Sequence, residues 1–181
     1  ELSHAIAAMQ YVANRGVRVI NGSWGGGECS ASLKAAIASL EQRNILFVAA
    51  AGNAYLDLDA NPVEFPAAFE LAPQITVAAT RSNDNIAGFS NTGYRYVHLS
   101  APGENIYSTV PGGYASLGGT SMAAPMVSGT AALLWSAKPN ATVSQIKQAL
   151  MTSVDTRNHR VMTRGRLNAR KALEEIRRLV P

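Results

Sequence analysis

Two strand-like runs separated by one amphipathic stretch constrain this chain more than any other feature. Val17-Arg18-Val19-Ile20-Asn21-Gly22-Ser23 reads as a buried strand, and Ile45-Leu46-Phe47-Val48-Ala49-Ala50 as a second, continuously apolar one. Between them lie a glycine loop, Gly25-Gly26-Gly27, and a helical pattern that starts at Ser32 and sets Leu33, Ala36, Ile37 and Leu40 on one face. Strand, helix and strand at this spacing make a βαβ unit. Its strands are parallel, and its unbroken apolar runs require cover on both sides. The predicted fold is therefore α/β, an open parallel sheet with helices on both faces.

The remaining elements fit that architecture. A first helix carries Ile6, Met9, Val12 and Ala13 as its stripe, with Ser3 as cap and Gly16 as terminator. Gly52 to Pro73 is a long loop broken by Pro62 and Pro66, and loops of this length usually carry function. Further strands are predicted at Gln74–Thr80, Tyr96–Ser100 and Asn105–Val110, with Pro111-Gly112-Gly113 returning the chain along Tyr114–Leu117. A largely apolar helix from Ser121 to about Ala137 reads as buried. Thr142 caps another through Ile146, Leu150 and Met151, and an amphipathic helix runs from Leu167 to about Leu179. With 47% hydrophobic and 15% charged residues, the 181 residues suit a single domain, 1–181, with a real core.

Composition narrows the function classes. No apolar run reaches membrane-spanning length, and no basic-then-apolar leader is visible at the start. The single cysteine, Cys29, excludes an internal disulfide and lies in no cysteine-centred motif, so it reads as a small structural or semi-exposed residue. The net charge of +4 is concentrated in the tail, from Arg157 through Arg178. No aromatic residues interleave those arginines to stack on bases, so they read as a solvated helix face and not as a nucleic-acid surface.

Three segments can carry chemistry. Gly118-Gly119-Thr120-Ser121-Met122-Ala123-Ala124-Pro125 turns sharply into a helix that begins on a serine. A serine there sits at the positive end of the helix dipole with its own N–H directed outward, which suits a nucleophile whose attack creates an oxyanion. An ordinary N-cap serine explains the same pattern. Ala49-Ala50-Ala51-Gly52-Asn53 follows the carboxyl end of a buried strand, where parallel sheets bind ligands. Its asparagine could donate to an oxyanion or simply serve a turn. Gly22-Ser23-Trp24-Gly25-Gly26 could pair with an extended peptide or be a plain loop.

In combination these segments resemble the subtilases, the subtilisin-like serine peptidases of family S8. Thr120-Ser121-Met122-Ala123-Ala124-Pro125 after two glycines, with Ala50-Ala51-Gly52-Asn53 upstream, carries the resemblance. Phe65-Pro66-Ala67, Ile75–Thr80, Phe89-Ser90-Asn91, Leu99–Gly103 and Ile106–Thr109 fall between them in the family's order, so the match spans Val17 to about Val154. The resemblance implies a serine endopeptidase acting on polypeptides, with Ser121 as acylating nucleophile and the Asn53 side chain and Ser121 N–H as oxyanion hole. Ser23, Trp24 and Gly25 would lie against the substrate backbone. Ala50, Ala51 and Gly52 would wall the primary specificity pocket, with Glu64 near its floor. Secretion is also implied.

The sequence departs from the family in three places. The family's order is Asp, His, Ser, and no His-Gly-Thr segment exists in these residues. The catalytic Asp and His are thus expected from an N-terminal segment before residue 1 or from a separate chain, and the apolar surface they would cover is expected to favour self-association or a partner. His4, His98 and His159 lie in no base motif. Met126 stands where the family commonly has His, and Glu64 is an unusual acid for a pocket floor, able either to favour basic side chains or to point to solvent. No cofactor is required. Calcium is common in the family, and Asp57, Asp59 and Asn61 have alternating oxygen-ligand spacing, but without a complete loop motif exposed polar turn residues are the preferred reading and a structural calcium the alternative. Two other functions compete with the peptidase: a non-catalytic peptide-binding or scaffold remnant that has lost the base, and a hydrolase using one of the three histidines.

Overall fold

A computed structural model describes residues 1–180. Strands β1 (Val19–Gly22), β2 (Leu46–Ala50), β3 (Gln74–Thr80) and β4 (Leu99–Pro102) form a parallel core in that spatial order. The sheet is not purely parallel. β7 (Asp155–Thr156) and β8 (Gly165–Arg166), unforeseen in the sequence, extend it beyond β4, and they pair antiparallel with each other. β5 (Ile106–Val110) and β6 (Gly113–Leu117) stand apart as a hairpin, as the Pro-Gly-Gly turn predicted.

Side-chain alternation along β2 divides the core. Leu46, Val48 and Ala50 face helix α3 (Thr120–Ala137), joining Val127, Ala131 and Leu134. Phe47 and Ala49 face the other way, onto Met9 of α1 (Leu2–Asn14) and Leu33 and Ile37 of α2 (Ala31–Ala38). Helices therefore cover both faces. Behind α3 lie α4 (Val143–Thr152) and α5 (Ala169–Leu179).

Several boundaries differ from expectation for local reasons. Ser3 lies inside α1, whose N-cap is Glu1 without a side-chain bond. α2 starts at Ala31, one residue before Ser32, and is capped by Ser30, whose backbone is extended and whose hydroxyl accepts from the Leu33 amide. Thr142 and Gln145 form a complete capping box at α4, as the sequence indicated for Thr142. β4 is displaced toward Pro102, leaving Tyr96, Val97 and His98 outside it.

The largest difference concerns α3. One side of it is buried against the sheet, but Pro125, Met126, Gly129, Ala132, Leu133 and Ser136 are exposed. Met126 and Leu133 retain 36% and 45% exposure, high values for large apolar side chains at helical spacing on one face. The sheet and the two following helices reach only the opposite side. β1 is likewise an edge strand, paired with β2 alone.

Candidate active site

The site forms where the carboxyl ends of β1 and β2 meet the amino end of α3, in the crevice that parallel sheets offer ligands. The chain enters α3 through Gly119, whose backbone φ is 158°. The first turn then places Ser121, partly buried between the buried Thr120 and Ala123, at the rim.

Asn53 follows β2 and is held through its oxygen. Its Oδ1 accepts from the Thr120 backbone N–H at 2.8 Å and from the Thr120 hydroxyl at 3.0 Å. The same Thr120 Oγ1 accepts from the Gly52 amide at 3.0 Å. With Oδ1 occupied, the Asn53 amide nitrogen is left over, and among the described residues it donates no hydrogen bond. Asn53 and Ser121 line one cavity of about 130 Å³ together with Trp24, Gly25, Ala50, Gly52, Glu64 and Thr120.

Ser121 and Ser23 are joined reciprocally. The Ser121 hydroxyl donates to the Ser23 carbonyl at 3.1 Å, and the Ser23 hydroxyl donates to the Ser121 carbonyl at 2.8 Å. Asn21 supports this link: its Nδ2 donates to Ser23 Oγ at 2.8 Å, while its Oδ1 accepts from Ser128 of α3 at 2.8 Å. Residues 23–26 leave β1 without regular strand structure. Trp24 packs edge-on against Phe47 with ring centroids 6.3 Å apart, and stays 39% exposed.

The structure therefore brings together Ser23, Trp24, Gly25, Ala50, Gly52, Asn53, Glu64 and Ser121. Ala51, expected on the same wall, turns the other way. Strand alternation sends its methyl group into a separate cluster with Leu58, Ala67 and Ala78, where it is fully buried. Two residues that organise the site were not singled out from sequence. Thr120 pins Asn53, as described. Asn91 fastens the loop after β2, accepting from the Ala54 and Leu56 amides and donating to the Ala51 carbonyl. Asn91 lies in the Phe89-Ser90-Asn91 segment, and that match was the only available signal.

None of the three histidines hydrogen-bonds Ser121. His98 is buried, and its Nδ1 accepts from the Thr76 amide at 3.0 Å. Burial, with Lys147 nearby, brings its pKa down to about 3, so the ring is neutral. His159 bonds the Ser100 hydroxyl and the Asp84 carbonyl, and burial lowers its pKa as well. His4 lies on the exposed surface of α1. In the long loop both aspartates already have partners. Asp57 pairs with Arg160 and accepts from the Asp59 amide, and Asp59 accepts from the Tyr94 and Arg95 amides. Among the described residues no group of three His, Cys, Asp or Glu side chains could hold an ion. Cys29 is exposed. In the basic tail Arg170 pairs with Glu174 and Arg178 with Glu175. No described helix is long and apolar enough to cross a membrane.

Comparison with known proteins gives the family and the fold. The model of the subtilase family, Peptidase_S8, matches residues 1–171. Subtilisin DY of Bacillus licheniformis is 38% identical over 152 residues, 83% of this chain and 54% of the relative. M-protease of Shouchella clausii is 38% identical over 94% of this chain and 44% of its own length. The chain thus spans about half the length of these relatives. Among solved structures, the prenylagaramide maturation protease PagA superposes with a TM-score of 0.86 at 30% identity, covering 97% of this chain and 68% of that one. The protease domain of PatA gives 0.85 at 33% identity, covering 96% and 64%.

Proposed function

Because the chain belongs to the subtilase family, we propose that it is the nucleophile-bearing part of a secreted serine endopeptidase that cleaves polypeptides through an acyl-enzyme on Ser121. The observation that carries the proposal is the shared cavity of Ser121 and Asn53, with Thr120 holding the Asn53 oxygen and leaving its amide nitrogen available. In the proposed reaction Ser121 Oγ attacks the scissile carbonyl. The negative charge that develops on the carbonyl oxygen is met by the Asn53 amide and the Ser121 N–H at the helix terminus. In subtilisin itself the loss of the corresponding asparagine costs about 10²–10³ in kcat, and that magnitude is carried over from the relative.

The serine proton needs an acceptor. In the structure the hydroxyl donates only to the Ser23 carbonyl, which cannot act as a base. We assign the missing Asp and His to a preceding segment or a separate chain. The unpaired side of β1 and the exposed apolar face of α3 are the surfaces such a segment would cover, and left open they favour self-association. No calcium requirement is included in the proposal.

The test is to express the chain together with the sequence encoded upstream of Glu1 and to measure casein digestion. Digestion abolished by Ser121→Ala is the expected result. A folded, extended protein that binds peptides but leaves casein intact would instead support a peptide-binding remnant.

A further inference from the structure

Glu64 is the one acidic group in the cavity beside Ser121. Its backbone is fixed, since the Glu64 carbonyl accepts from the Ala68 amide and the next carbonyl, that of Phe65, accepts from the Gly26 amide. Its side chain lies between two glycines. A Cβ built on Gly25 would stand 2.7 Å from Glu64 Oε1, and one built on Gly52 would stand 2.9 Å from its Cγ and Cδ. The carboxylate thus fills space that any other residue at those two positions would occupy, and it is half-buried. No hydrogen bond or ion pair to its carboxylate is found among the described residues. Burial pushes its pKa upward, with no neighbouring charge acting on it.

A half-buried carboxylate without a cation or donor is energetically uncompensated. An apolar substrate side chain entering the cavity would remove still more of its water. A basic side chain would bring the missing charge and donors. We propose that Glu64 is a specificity-determining residue, selecting lysine or arginine at the substrate position whose carbonyl Ser121 attacks. This rests on the reading of Ser121 and its cavity as a peptide-cleaving site. The small walls, Gly25, Ala50 and Gly52, leave the carboxylate accessible to an unbranched chain. Selection works in both directions, by a charge-assisted bond to the right residue and a desolvation penalty on the wrong one.

Equilibrium binding tests this without requiring turnover. The 181-residue chain is titrated calorimetrically with three peptide amides of sequence acetyl-Ala-Ala-Pro-X, where X is arginine, its neutral isostere citrulline, or phenylalanine. The arginine peptide is expected to bind about tenfold or more tightly than the citrulline peptide. In Glu64→Gln, an isosteric change, that difference is expected to vanish and the phenylalanine peptide to bind more tightly, relieved of the cost of desolvating the carboxylate. Equal affinity for arginine and citrulline in the unaltered chain overturns the inference whether or not the variant folds, and leaves the peptide cleft standing. A preference that survives Glu64→Gln overturns Glu64 as its source. If no peptide binds, phenylalanine included, the cleft reading fails and the inference with it.

Discussion

Thr120 does more for the site than its place beside Ser121 indicates. Its hydroxyl donates to Asn53 Oδ1 and accepts from the Gly52 amide, so one small side chain joins the amino end of α3 to the loop after β2. Thr120→Val keeps the shape and removes both bonds, leaving the Gly52 amide without its partner. A loss of about 1–3 kcal/mol in urea unfolding is expected, and a melt unchanged from the parent would show that the link carries no weight. Ser121 and Asn53 were legible in the sequence because each sits in a compact motif. Thr120 lies inside the same motif, but its role depends on a partner 67 positions away, and no local pattern encodes that. Ala51 shows the converse error. Ala49, Ala50 and Ala51 look like one wall, yet alternation turns Ala50 toward α3 and the last of the three, Ala51, into the separate core with Leu58 and Ala78.

At the scale of elements, the buried neutral ring of His98, one residue before β4, ties that strand's entry to β3 only while it lacks a second proton. His98 Nδ1 accepts from the Thr76 amide, an interaction the imidazolium cannot make. Its folded pKa of about 3 lies below the ordinary value of 6.5, so between these values the unfolded chain binds more protons than the folded one. Stability is then complete above pH 6.5 and falls as the pH drops, by about 1.4 kcal/mol per unit. His159, lowered in the same direction, adds to the slope. Asp155 acts in a lower window: the Lys171 ammonium, with Asn168 and Arg166, holds its pKa to about 2 against 3.8, so its contribution is lost only below pH 4. Urea midpoints at pH 7 and pH 5 are expected to differ clearly, and less so in His98→Gln. Identical midpoints would contradict the assignment of a neutral buried ring. The periodicity of β1–β3, α2 and α4 made these elements readable in advance. The two-residue strands β7 and β8 have no periodicity to read, and their pairing depends on β4 being in place.

For the molecule as a whole, the sheet, the two helical layers and the crevice above β1 and β2 follow from alternation of strand and helix. The exposed face of α3 does not. A continuously apolar helix reads as buried all round, and only the three-dimensional arrangement shows that the described residues cover one side of it. The proposal accounts for that uncovered face and for the absence of a histidine beside Ser121 together: Ser121 as nucleophile and Asn53 as oxyanion donor would receive their base from residues other than these. In subtilisin, loss of the base costs nearly as much as loss of the whole triad, about 10⁶ in kcat, leaving roughly 10³–10⁴ over water. The most direct measurement is reaction of the purified 181-residue chain with a fluorophosphonate, followed by intact mass. The account predicts no mass shift on Ser121 over the time in which subtilisin is fully labelled. Rapid labelling that disappears in Ser121→Ala would contradict it, by showing that a base lies within these residues.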